Sequence, residues 1–105
     1  MIGDTNADTS NIAWIDVADL TLTSNIEYGS QKYESITLSH SITDVSKVGV
    51  SFIQISPITS WSTNARITWE GTNGNQLTFR IWNDCYGSGR IDSGAKWRVT
   101  VVQMM

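Results

Sequence analysis

The feature that most constrains this chain is a period-two pattern written on both sides of one turn. Ala65, Ile67 and Trp69 alternate with Arg66 and Thr68; beyond Gly71-Thr72-Asn73-Gly74, Leu77, Phe79 and Ile81 alternate with Thr78, Arg80 and Trp82. Successive side chains of a β-strand point to opposite faces, so each arm buries one row and displays the other. An Asn-Gly step tolerates the positive φ angles of a tight turn, which joins the arms into a hairpin. The second arm then leaves its sheet on an outward tryptophan, Trp82.

The same alternation runs through the rest of the chain. Ile12 and Trp14 share a face in residues 11–17, and Leu20 and Leu22 share one in 19–24, with a bend expected over 16–19. Ile36 and Leu38 alternate with Ser35, Thr37 and Ser39. In residues 47–56, Val48, Val50 and Phe52 lie on one face and Ile53 and Ile55 on the other; the change of phase predicts a bulge near Phe52-Ile53 or a strand covered on both sides. Trp97, Val99 and Val101 face inward in a closing strand over 96–103. No stretch has helical spacing of any length. Six to seven short strands separated by polar turns predict an all-β fold, an antiparallel β-sandwich or a barrel, and the sandwich is the architecture taken forward.

A chain of 105 residues suits one domain. Residues 1–10 are polar and aperiodic and read as a flexible lead-in, leaving 11–105 as the folded unit. Asp4-Thr5-Asn6-Ala7-Asp8 imitates the start of a calcium loop, but Thr9 stands where the glycine is needed and Ile15 where the closing glutamate is, so no metal or cofactor is expected. His40 is isolated and reads as a surface or hydrogen-bonded residue. Seven Lys and Arg against ten Asp and Glu, without a basic cluster, argue against nucleic acid. No apolar run reaches the ~20 residues that span a bilayer, so no membrane insertion is expected. Met1-Ile2-Gly3-Asp4 lacks the pattern of a signal peptide. The single cysteine, Cys85, cannot form an internal disulfide and reads as an inert buried thiol.

Five tryptophans and three tyrosines among many Ser, Thr and Asn suit a polar, aromatic binding surface. The candidate site follows from Trp82: Asn83, Asp84, Cys85 and Tyr86 come next, ahead of Gly87-Ser88-Gly89. A flat apolar ring beside hydrogen-bonding groups at the margin of a sheet can stack on the C–H face of a sugar while its neighbours meet the hydroxyls. The competing reading packs Trp82 against another subunit, since tryptophan is also enriched at interfaces. Trp61, in a polar loop, is a second binding aromatic. Arg66 and Arg80 point outward from adjacent arms and either reach a ligand or pair with carboxylates such as Glu70. Trp69 and Trp97 share phase with apolar neighbours and read as core; Trp14 reads as core or interface.

Three segments carry a family resemblance: Lys47-Val48-Gly49-Val50-Ser51-Phe52-Ile53, then Asn73-Gly74-Asn75-Gln76-Leu77-Thr78-Phe79-Arg80-Ile81-Trp82-Asn83, then Lys96-Trp97-Arg98-Val99-Thr100-Val101. In this order they resemble the H-type lectin domain, over about half of the chain. The resemblance implies a six-stranded antiparallel β-sandwich that assembles as trimers and binds cell-surface carbohydrate. It puts the sugar-stacking aromatic at Trp82, polar ligands at Asn83 and Asp84, and an aromatic from the next loop at Tyr86. Asn83 stands where animal members often carry histidine. Related domains end bacteriophage tail fibres, so the resemblance implies a homotrimeric receptor-binding tip on a virion, or an extracellular lectin. Other expectations remain: a trimerising or capping module without a ligand, or a module for a protein receptor. Asp84 and Asp92 flank the glycine-rich loop as two carboxylates might in a glycosidase, but nothing in the sequence fixes their separation and no Ser/His/Asp or Cys/His grouping is present, so the expectation is a binder and not an enzyme.

Overall fold

The structure, a computed structural model, describes residues 11–55, 65–84 and 89–105. The expected lead-in, the calcium-like segment, Trp61, Cys85 and Tyr86 lie outside the described residues. Six strands form two three-stranded sheets: β1 (Ile12–Thr21), β2 (Gln31–Thr37), β3 (Val48–Gln54), β4 (Arg66–Asn73), β5 (Gln76–Trp82) and β6 (Lys96–Met104). One sheet has the order β1-β6-β3 and the other β2-β5-β4, with every pairing antiparallel. The fold is an all-β antiparallel sandwich, as the alternation predicts, and each sheet is built around a central strand, β6 or β5.

Inward rows make the core. Leu77, Phe79 and Ile81 of β5 are fully buried, as are Val99 and Val101 of β6 and Leu20 of β1. The Phe52 and Phe79 rings meet edge to face at 5.4 Å, joining the two sheets. Burial of such side chains stabilises the fold by roughly 1.5–3 kcal/mol each. Trp97 is buried with them, while Trp69 and Trp14 are partly buried against the same cluster.

Three local expectations are corrected. β1 runs through residues 16–19 without a bend: its pairing with β6 is unbroken from Trp14 to Thr21, with Asp16 held by His40 and Asp19 by Arg98. β3 keeps its pairing with β6 without a shift, so the change of phase at Phe52-Ile53 is not a bulge. Ile53 is simply an outward residue, 66% exposed. Register shifts lie instead in β1, between Ile12 and Trp14, and in β4, between Trp69 and Gly71, where Glu70 is the extra residue. The hairpin turn is one residue later than the Asn-Gly step suggested: Asn73 pairs with Gln76, and Gly74 and Asn75 form the loop. Gly74 has φ +64°, the positive first central position of a two-residue hairpin turn that glycine enters without strain.

The two sheets are joined along one side by a reciprocal clasp. Asp16 of β1 accepts from the backbone N–H of His40 at 2.9 Å and from its ring Nδ1 at 3.0 Å, just beyond the end of β2. Glu34 of β2 accepts from the backbone N–H of Thr23 at 2.8 Å and from its hydroxyl at 2.7 Å, just beyond the end of β1. Each edge strand therefore holds the chain that leaves the other. The His40 ring also stacks on Trp14, with centroids 5.0 Å apart and planes within 9°.

Candidate functional site

The outward row of β5 is Thr78, Arg80 and Trp82, and the register sets it between outward rows of its two neighbours. Arg66 of β4 lies opposite Trp82, Thr68 opposite Arg80, and Tyr33 of β2 on the other flank of Arg80. Paired residues on one face stand close enough for long side chains to interlock. Here they interlock through rings and guanidinium groups. Arg66 lies over the Trp82 ring at 4.4 Å from its centroid, and Arg80 lies over it at 4.6 Å. Arg80 also lies over the Tyr33 ring at 4.8 Å.

Each cation is matched by a carboxylate. Arg66 Nε donates to Asp84 at 2.8 Å, and Arg80 donates to Glu70 at 2.9 Å, the residue that the bulge adds to β4. The Trp82 indole N–H donates to the Thr68 hydroxyl at 3.0 Å. Arg80 Nε is shut away from solvent and has no hydrogen-bond acceptor among the described residues, so π faces and Glu70 replace water around much of that guanidinium. Stacking of this kind contributes about 0.5–1 kcal/mol per contact at a surface. The result is a charge-balanced patch running Asp84, Arg66, Trp82, Arg80, Tyr33, with Thr68 and Glu70 alongside.

The sequence expectations divide clearly. Trp82, Asp84, Arg66 and Arg80 are brought together, and the pairing of Arg80 with Glu70 is present. Asn83 is a correction. It is 0% exposed, and its amide nitrogen donates to the carbonyls of Ile26 and Gly89, both at 2.9 Å. Its backbone N–H and C=O bond Ser30 and Gly29. Asn83 continues the inward row of Leu77, Phe79 and Ile81, so it ties loops to the end of β5 and does not face a ligand. Trp82 is also less open than a bare platform, because guanidinium lies over its ring. Asp92 is held by Arg90 at 2.8 Å, while Asp84 is held by Arg66.

Tyr33 and Thr68 belong to the patch and were not singled out as binding residues. Tyr33 is 55% exposed; its signal is its phase, opposite to Ile36 on the same strand. Among the described residues, no group of three or more His, Cys, Asp or Glu is placed to hold a metal ion, and no helix is long and apolar enough to cross a membrane. No protein-family model, curated protein or solved structure matches this chain.

Proposed function

We propose that this domain binds carbohydrate on the outer face of β2-β5-β4. The observation that carries the reading is the partly buried Trp82 ring, held among Arg66, Arg80 and Thr68 beside the exposed Tyr33. Guanidinium groups stacked on aromatic rings extend a flat surface while keeping N–H donors at its edge, and Asp84 and Glu70 supply acceptors. Such a surface meets both the C–H face and the hydroxyls of a sugar. Because Arg66 and Arg80 each face a carboxylate, a neutral saccharide suits it better than a polyanion. One site would be weak, as a hydroxyl exchanging water for protein gains only about 0.5–1.5 kcal/mol per hydrogen bond. A homotrimer on a viral fibre, the setting that the lectin resemblance implies, would raise avidity on a dense host glycan through effective concentration. A glycan array probed with wild type, Trp82→Ala and Tyr33→Ala tests the reading: both variants lose the wild-type signal while still unfolding cooperatively, and undiminished binding by Trp82→Ala overturns it.

A second reading has its own observation. The outer face of β1-β6-β3 displays Ile15, Val17 and Ile53, which are 52%, 57% and 66% exposed. Apolar residues grouped on one face favour assembly, so the domain would act as a structural capping or trimerising module. Sedimentation of Val17→Lys separates the two: loss of an oligomer with glycan binding per subunit intact assigns assembly to this face and recognition to the other.

A further inference from the structure

Three amides end the inward rows of this sandwich, and two of them are fully employed. Asn83 ends the row of β5 and donates to two carbonyls. Gln103 ends the row of β6; its Oε1 accepts from the backbone N–H groups of Thr43 and Asp44, and its Nε2 donates to the carbonyls of Asp44 and Met104. Gln54 ends the row of β3, after Val48, Val50 and Phe52, and sits opposite Trp97. Neither its Nε2 nor its Oε1 meets solvent, and among the described residues neither has a hydrogen-bond partner. Buried polar groups are nearly always paired, so an orphan of this kind calls for an explanation.

The explanation lies beside it. Gln54 lines a cleft of about 330 Å³ together with Phe52, Ala65, Ile67 and Trp97. The cleft lies on the β3/β4 side of the sandwich, opposite the side closed by Asp16 and Glu34. Its size falls at the lower end of small-molecule sites, and its make-up, apolar and aromatic walls with one polar group, is that of such sites. Among the described residues no charged side chain lines it.

We propose that this cleft binds a small uncharged molecule bearing an amide on an apolar, ring-sized body. An amide is the complement of a carboxamide: one N–H to give and one C=O to accept, matching the Oε1 and Nε2 of Gln54. Rotation about the side-chain torsions of Gln54 turns its amide into the cleft that the side chain already lines. The ring then rests on Phe52, Ile67 and Trp97. A carboxylate is disfavoured by the cost of burying a charge where no cation lines the cleft among the described residues. This site is independent of the proposed glycan surface: along β4, Arg66 points to that surface and Ile67 to the cleft.

Titration of the folded domain with benzamide, methyl benzoate and sodium benzoate, followed by the NMR signals of the Gln54 side-chain amide, tests the assignment. Benzamide shifts those signals saturably and binds about tenfold more tightly than methyl benzoate, which lacks the N–H donor; benzoate does not bind. Gln54→Leu, followed through backbone amide signals, removes the preference of benzamide over methyl benzoate, and Ile67→Trp, which fills the cleft, removes binding of both. Equal binding of benzamide and methyl benzoate by wild type, a preference that survives Gln54→Leu, or no saturable shift with benzamide overturns the proposal.

Discussion

Along one side of the sandwich, where β1 faces β2, the polar groups between the sheets are matched. Asp16 and Glu34 each hold the chain that emerges from the opposite strand, with four contacts between 2.7 and 3.0 Å. Along the other side, β3 and β4 leave a cleft, and the one polar side chain that lines it among the described residues, Gln54, has both amide atoms unmatched there. The hydrophobic alternation is the same on both sides, so it does not account for the difference. Apolar rows bring two sheets together, whereas polar groups at their margins decide which side closes.

The largest expected effect contrasts two amides. Asn83→Ala removes two buried hydrogen bonds, one to the Gly89 carbonyl and one to that of Ile26, which keeps the Ile91 N–H, and lowers stability by about 2–3 kcal/mol, since a lost bond costs about 0.5–1.5 kcal/mol and a buried polar group left unmatched about 1–3 kcal/mol. Gln54→Leu removes unmatched groups and leaves stability unchanged or raises it by up to about 1 kcal/mol, because replacing unsatisfied polar atoms by apolar ones of similar shape is neutral to favourable. Urea unfolding of both variants at constant m-value checks this. A loss from Gln54→Leu as large as that from Asn83→Ala would erase the contrast between the two sides. Next in size is the clasp: Asp16→Ala and Glu34→Ala each cost about 1–2 kcal/mol, as hydrogen bonds to charged groups are the stronger kind. The double variant reads their coupling. Strict additivity would show two separate ties and not one closure.

Phase carried much of this into the sequence. The inward rows of β5 and β6, the outward Arg80 and Trp82, and the six-strand sandwich all follow from alternation at period two. Asn83 was legible by the same rule, since it stands two places after Ile81, but its position after a tryptophan suggested a ligand instead. Tyr33 was hidden because the polar residues before it delayed the apparent start of β2. The clasp was not legible, since residues 16 and 40, or 23 and 34, meet only after both sheets have formed. Gln54 shows its phase in sequence; that no described residue partners its amide is a property of the packing.

Acid sharpens the comparison on the closed side. Burial, the largest single influence on Asp16, disfavours its charge, but the hydrogen bonds from the His40 ring and backbone, with the charge of that ring, outweigh it and hold the carboxyl below its ordinary value of 3.8. A carboxyl lowered in the folded state stabilises the protein at pH values above its unfolded pKa and stops doing so as pH falls through the folded one. Wild type is therefore more stable than Asp16→Asn at neutral pH, and the gap narrows as pH drops below about 4. A gap that stays constant from pH 7 to pH 2.5 in urea midpoints would remove the carboxylate from the closure.

The smallest effect on stability separates the two outer faces. Arg66–Asp84 and Arg98–Asp19 are both exposed ion pairs, at 2.8 and 3.3 Å, on opposite sheets. Pairs of this kind contribute about 0–1 kcal/mol, because water screens them and ordering two long side chains costs entropy. Arg66 has an added contact, the Trp82 ring at 4.4 Å, so Arg66→Ala costs up to about 1 kcal/mol more than Arg98→Ala. In glycan binding the two variants part company. Arg66→Ala removes a donor and part of the flat surface from the β2-β5-β4 face and weakens binding about tenfold or more, which equals roughly 1.4 kcal/mol. Arg98→Ala, on the face that displays Ile15 and Val17, leaves the same titration unchanged. Equal losses from both would mean that recognition is not confined to one sheet, and the assignment of separate tasks to the two outer faces would fail.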